Sequence, residues 1–393
     1  MSKAPPASTW RLSLAGAVAL LLGVGLGRYA FTPLITPLVQ QGWFTPQATA
    51  QLGAINLLGY LLGAASADRS GRLLGERRAI ALCLTTLTLS LFGCMFDAGF
   101  VWYGLWRLLA GWSAATLTIV VTPAIMARVP AARRPAASAI IFTGIGVGTI
   151  TASLIVPWLA AAGIAATWAA IGSVAALLGA WSWFAVWRDL AALPATTHSD
   201  QRANGAPVPW LAIALIVLAY GLNSAGYVPH SLYWVDYIAR ELGRGLAAGN
   251  GYWLVLGVGG MLGPAAGGLA AQRLGFRSAL VAAFVLMTTA TALPLLSSTS
   301  VALGLSSLLV GAMVPAIITL TAGAVVELSP PGRQRQIWGW ATLSFALMQT
   351  IGGFAMAQLY AQVGSYRDTI AAGAVILVLG TLCVSVGAAQ RRR

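Results

Sequence analysis

The chain is poor in charge, in acids, in histidine and in cysteine. Only 8% of its 393 residues are charged, against 58% hydrophobic. A soluble domain carries about 25% charged residues, so a soluble core is excluded. Nine acids stand against 23 basic residues, for a net charge of +14. The basic residues are scattered between apolar runs and form no stripe, so nucleic acid is not the expected partner. Cys83, Cys94 and Cys383 all fall in apolar segments with no paired spacing. They provide neither a disulfide framework nor a metal motif, and act as small apolar residues. The phosphate-binding pattern G-x-x-x-x-G-K-[ST] does not occur, which argues against an ATP-driven pump. The two histidines, His198 and His230, are far apart in sequence, and no inward carboxylate pair accompanies them. A membrane enzyme would need a nucleophile with a base, or a metal cluster, so no enzymatic activity, metal or cofactor is expected. No A-x-A-like site follows a short apolar core, so the first apolar run reads as an uncleaved span.

What the chain has in abundance is long apolar runs. Twelve candidate membrane spans cover 12–39, 47–67, 79–96, 100–127, 136–162, 165–187, 209–235, 247–271, 278–297, 301–327, 337–362 and 369–389. Arginines mark one set of connections. They are Arg11, then Arg69, Arg72, Arg77 and Arg78, then Arg128, Arg133 and Arg134, then Arg188 and Arg202, then Arg273 and Arg277, then Arg333 and Arg335, and the terminal Arg391 to Arg393. The opposite set holds only Arg240, Arg244 and Arg367. By the positive-inside rule both termini are expected in the cytoplasm. The segment 188–208 is the one long polar connection inside the chain, and it separates six spans from six. The expected organisation is a bundle over 1–187, a cytoplasmic linker over 188–208 and a second bundle over 209–393.

The halves repeat. Gly25-Leu26-Gly27-Arg28-Tyr29-Ala30-Phe31-Thr32-Pro33 returns 196 positions later as Gly221 to Pro229, with Ser224 in the place of Arg28 and Tyr227 in that of Phe31. Arg69 and Gly71 return 204 positions later as Arg273 and Gly275, and Arg133 returns as Arg333 at 200. Ordered matches of this kind indicate a duplicated membrane protein with an asymmetric centre. The spacing Gly259-x-x-x-Gly263-Pro264 on the eighth span reads as a small-residue helix contact with a proline kink.

The stretch Asp68-Arg69-Ser70-Gly71-Arg72 after the second span, and Arg107-Leu108-Leu109-Ala110-Gly111 on the fourth, resemble motifs of the major facilitator superfamily. Ala64 stands where that family's loop motif begins with Gly. The Gly27-to-Pro33 stretch is similar to the bacterial YbfB/YjiJ branch. The resemblance spans the chain. It implies an all-α polytopic fold of twelve transmembrane helices, arranged as two pseudo-symmetric six-helix bundles. It also implies secondary transport by alternating access in the bacterial inner membrane, with helices 1, 4, 7 and 10 around a central cavity. Asp68, Arg69, Gly71 and Arg72, with Arg273 and Gly275, would then form a conformational clasp, Gly71 allowing its tight turn. The expected partners are a small molecule and the lipid bilayer, the protein being a monomer.

Arg28 lies about 16 Å below the outer end of its span, and Arg107 about 10 Å below the same side, at ~1.5 Å per residue. An arginine at such depth costs at least ~2.5–3.5 kcal/mol on insertion scales. Two guanidiniums reaching one cavity suit a carboxylate, phosphate or sulfate. Arg28 and Arg107, with Asn223, Ser224 and Tyr227, are the candidate substrate contacts. Asp236, Glu327 and His230 are the candidate proton carriers. A small organic anion is the favoured substrate, with efflux of an amphipathic compound as the alternative.

Overall fold

The computed structural model of the protein describes residues 9–190, 208–329 and 333–390. The expected linker, with His198, lies outside them over 191–207. The described residues are 90% helical, with no strand among them. The twelve expected spans are all present as helical segments. In chain order they are α1 (Thr9–Gln40), α2 (Pro46–Leu74), α3 (Glu76–Gly93), α4 (Gly99–Met126), α5 (Arg134–Leu159) and α6 (Ile164–Ala185). Then follow α7 (residues 210–241), α8 (Gly245–Leu274), α9 (Phe276–Leu296), α10 (Ser300–Leu328), α11 (Gln334–Val363) and α12 (Tyr366–Ala389). Nine described helices are long and apolar enough to cross a membrane. The other three are α3, α7 and α11. α3 starts on Glu76-Arg77-Arg78, α7 is broken, and α11 carries Gln334, Arg335, Gln336 and Gln349. Around the perimeter, large apolar side chains such as Trp158, Leu177 and Val375 are exposed, as a lipid-facing surface requires.

Two helices depart from regular geometry, and both line the molecular axis. In α1, Leu21–Tyr29 is wound as a π-helix. Such wide turns are rare and concentrate at functional sites. Gly25 within it lies so close to α5 that an added Cβ would come within 2.6 Å of the Cα of Gly148. α7 stops as a regular helix at Gly226, restarts at Val228–Leu232 and again at Trp234–Asp236, and ends in a π turn, Tyr237–Glu241. Pro229 has no N–H to return to the preceding turn, which explains the first interruption.

The repeat appears in the packing with a single register. Gly59 abuts the Leu108 carbonyl and Gly111 that of Asn56, joining α2 to α4. Gly259 and Gly311 abut the carbonyls of Leu308 and Leu256, joining α8 to α10. Each partner sits 200 positions from its counterpart, as do the turn glycines Gly75 and Gly275, at φ +78° and +76°. Three sequence readings are therefore corrected. The Arg69/Arg273 match at 204 and the Arg28/Ser224 match at 196 are each four residues, about one helical turn, out of register, since Ser344 meets the Val217 carbonyl where Gly144 meets that of Ala17. Gly71 makes no turn: α2 runs through it to Leu74, and Gly75 reverses the chain. The small-residue reading of Gly259 and Gly263 holds, both packing on α10.

The two bundles, α1–α6 and α7–α12, meet along α2 with α11 and α5 with α8. Thr350 on α11 donates to the Leu57 carbonyl at 3.0 Å. Gly146 on α5 is seated against the Gly257 carbonyl.

This geometry separates the two glycines of the α2–α3 corner. Gly71→Ala meets only Val120 at 4.0 Å and has helical surroundings. It is expected to leave the melting temperature in detergent unchanged or to raise it, by up to ~1 kcal/mol of helix propensity. Gly75→Ala forces a side chain into the left-handed region and should lower it, by about 1–2 kcal/mol. The reverse order would show that Gly71 makes the turn.

Candidate functional site

A cavity of about 1530 Å³ lies between the bundles. Its mouth is marked by Asp68 and Glu76 on one side and Gln334 on the other, at the arginine-rich end of the helices. Its deep end is bounded by Arg28, Tyr227 and Ser231. Beyond that point α1 and α7 are hydrogen-bonded to each other, so the cavity opens toward one end only. Thr32 Oγ1 donates to the Ser231 carbonyl at 2.5 Å, and Thr36 Oγ1 to Asp236 Oδ1 at 2.8 Å.

Arg28 comes from the π-wound part of α1 and is 2% exposed. Its Nη1 donates to Gln349 Oε1 on α11 at 3.0 Å, and its Nη2 reaches Tyr227 Oη on α7 at 3.5 Å. Gln349 Nε2 donates to the same Tyr227 oxygen at 2.7 Å. The rings of Tyr29 and Tyr60 stand 5.1 and 5.7 Å from the guanidinium carbon. The Nε atom is buried without a partner. No described carboxylate lies within 4 Å of Arg28, the ion pairs being Arg128–Glu76, Arg188–Asp189 and Arg240–Asp236. The cation is thus held by neutral oxygens and aromatic faces.

Arg107 is equally buried but does not line the cavity. Its Nη1 donates to the Gly27 carbonyl at 2.9 Å, and its guanidinium lies 4.3 Å from the Phe31 ring centre. It satisfies a carbonyl near the junction of the π and α segments of α1. The expected pairing of Arg28 and Arg107 in one cavity is therefore not what the structure shows. Nor does the cavity lie toward the Arg240 end. Of the other candidate contacts, Tyr227 joins Arg28. Ser224 Oγ donates to the carbonyls of Gly221 and Phe345, and Asn223 is buried with both side-chain polar atoms unpartnered. Neither lines the cavity.

The candidate proton carriers separate widely. Asp236 is fully buried at the closed end, not merely a group at a span end. It accepts from Arg240 through both oxygens, from Thr36, and from Tyr366 Oη at 2.6 Å. His230 is buried, stacked on Trp234 at 4.2 Å, with Nε2 2.9 Å from Ser306 Oγ. Ser306 itself donates to the Ala290 carbonyl, so the histidine is the donor at Nε2 and its Nδ1 is an unpartnered acceptor. Glu327 is exposed at the end of α10. Asp68, Arg69, Arg72 and Arg273 are exposed at the open end, with Asp68 at the cavity mouth. At the opposite end Glu241 caps α12, accepting from the backbone N–H groups of Tyr366 at 2.6 Å and Arg367 at 3.1 Å. A carboxylate there meets the positive end of the helix dipole.

Sequence reasoning missed Gln349, Tyr60 and Thr36. Each is a lone polar side chain in an apolar run, and its polarity in a span was the only available signal.

A family model described as "Uncharacterised MFS-type transporter YbfB" matches residues 20–385. No curated protein matches the chain.

The closed end gives a direct test. Thr36→Val removes one hydrogen bond to a charged group, worth about 1.5–3 kcal/mol, and leaves Arg240 paired. Asp236→Asn strips Arg240 of its counter-charge as well. A single Cys at Ser231 in a Cys-free background should react with an impermeant thiol reagent added from the Arg240 side faster in both variants, and most in Asp236→Asn. Unchanged labelling would show that these bonds do not hold that end shut.

Proposed function

Because the chain belongs to the family of MFS-type transporters described by YbfB, we propose that this membrane transporter is a secondary carrier of a small organic anion. The observation that carries the reading is a buried guanidinium with no carboxylate partner, facing a cavity between two bundles. A carboxylate arriving from the cavity would supply the missing counter-charge, and the guanidinium fork suits it. The cavity open at one end and bonded shut at the other supports alternating access, with the bundles 1–187 and 209–393 rocking about the site.

The arginine-rich end is the cytoplasmic one in this reading, so the cavity faces the cytoplasm of a bacterial inner-membrane protein with both termini inside. Asp68, Arg69 and Arg72 then form a clasp that engages when that end closes, with Gly75 in place of Gly71 as its turn. Asp236 is the favoured coupling carboxylate. Its protonation would weaken its bonds to Arg240 and Thr36 at the closed end. Impermeant thiol reagents applied to whole cells should label a Cys at Ser298, on the α9–α10 turn. They should not label one at Ser70, and the opposite pattern would invert the orientation.

Arg28 is tested by two substitutions. Arg28→Lys keeps the charge and loses the fork. Arg28→Ser removes both the charge and the fork. In liposome counterflow Lys should retain part of the activity. Ser should lose binding by about 2–5 kcal/mol if the substrate's charge is left unpaired. Insertion should not suffer, because a buried arginine is itself a penalty. Wild-type counterflow in Arg28→Ser would remove the anion reading.

A further inference from the structure

The carrier reading above leaves the anion's charge and body open, and the cavity bears on both. We infer that its ligand is a monovalent anion with a flat apolar body, of the aromatic monocarboxylate class. This rests on the anion reading and narrows it.

The charge follows from counting. Among the described residues that line the cavity, Arg28 is the sole cation. Arg107, the other deep arginine, does not line the cavity: its Nη1 is on the Gly27 carbonyl and its guanidinium lies against Phe31, with Nε and Nη2 unpartnered. The lining acids are Asp68 and Glu76 at the mouth. A dicarboxylate or a phosphate monoester would place its second negative charge among apolar walls with no cation to receive it, and an unpaired charge there is costly. One carboxylate balances one guanidinium. Tyr227 Oη, which accepts from Arg28 and Gln349 and also bonds to Tyr29, stands beside that guanidinium.

The body follows from the walls. Tyr29, Tyr60, Tyr220, Trp253 and Phe345 surround the guanidinium and Tyr227. They are already arranged as ring pairs: Trp253 meets Tyr29 edge-on at 5.7 Å, and Tyr220 lies 4.8 Å from Phe345. Such a chamber takes another flat ring by edge or offset contact. A polyhydroxylated acid finds few partners there. The wall hydroxyls of Thr118, Thr149, Ser231 and Thr342 donate to carbonyls of their own helices, which leaves the unpartnered Thr122 Oγ1 among the wall threonines and serines.

The test is ligand-induced thermal stabilisation of the full chain in detergent, with tryptophan fluorescence as a second readout. The probes are benzoate, cinnamate and 2-naphthoate, against benzamide, succinate, gluconate and inorganic phosphate. The aromatic acids should stabilise the wild type at concentrations at least about tenfold below succinate, gluconate or phosphate, tenfold being 1.4 kcal/mol. Benzamide, the neutral isostere, should be weak. Arg28→Ser should abolish the aromatic-acid shift. Trp253→Leu, which leaves the guanidinium in place, should weaken 2-naphthoate more than benzoate, so the inference does not depend on Arg28→Ser folding. Equal or stronger binding of succinate, gluconate or phosphate would overturn this inference while leaving the anion reading intact. Binding of benzamide as strong as benzoate, unaffected by Arg28→Ser, would overturn both. No shift with any aromatic acid overturns the inference.

Discussion

A guanidinium buried between two helical bundles without an opposing carboxylate constrains almost everything around it. Such a charge in a low-dielectric setting is tolerated only when its donors are satisfied. Arg28 meets most of that demand with an amide oxygen from α11, a phenol from α7 and the faces of two tyrosines on α1 and α2, with its Nε left unpartnered. Two of those helices belong to the opposite bundle. The cation therefore also fastens the bundles together at the deepest point of the cavity. The π winding of Leu21–Tyr29 is the backbone side of the same arrangement. A wide turn costs helix geometry, and here glycines at 23, 25 and 27 let it pack against α4, α5 and the α3 side chain Leu87.

Arg107 shows that depth alone does not define a site. It is as buried as Arg28 and one helix away, yet it serves a backbone carbonyl of α1. The carbonyl of Gly27 lies next to Arg28 in sequence, so Arg107 supports the turn that presents Arg28. The two arginines form one assembly with divided roles, Arg28 toward the cavity and Arg107 behind it.

The spans, the duplication, the apolar perimeter and Arg28 as the central charge were legible in the sequence, because each rests on composition or on a run of residues. Tyr227 is picked out through an alignment at 196 that the packing does not keep, and its contact with Arg28 comes from the fold. The pairing of Arg28 with Arg107 was misread because counting along a helix gives depth but not azimuth, and the π segment shifts azimuth by adding a residue per turn. The repeat was misread at the α2–α3 corner because Arg69 and Arg273 look alike, whereas packing matches Gly75 to Gly275. Gln349 and Tyr60 were not found at all. A single polar residue with no echo in the other half has no pattern to reveal it, and only the fold brings it to Arg28.

In the proposed carrier, occupancy of the site would be tied to movement of the bundles. An anion on Arg28 would take up donors that now hold Gln349 and Tyr227, and both of those residues stand in the bundle opposite α1. A hydrogen bond from a charged donor is worth about 1.5–3 kcal/mol. Coupling between two sites typically needs 1–3 kcal/mol. Exchanging one or two cross-bundle bonds for bonds to a ligand is therefore of the right size to shift the balance between open and closed forms. A ligand shifts that balance only by its differential affinity for the two forms. The bonds of Thr32 and Thr36 to α7 lie one and two turns farther along α1 from Arg28, on the same helix. In the proposed carrier, a change in how Arg28 is held would act, through a continuous stretch of α1, on the contacts that close the far end.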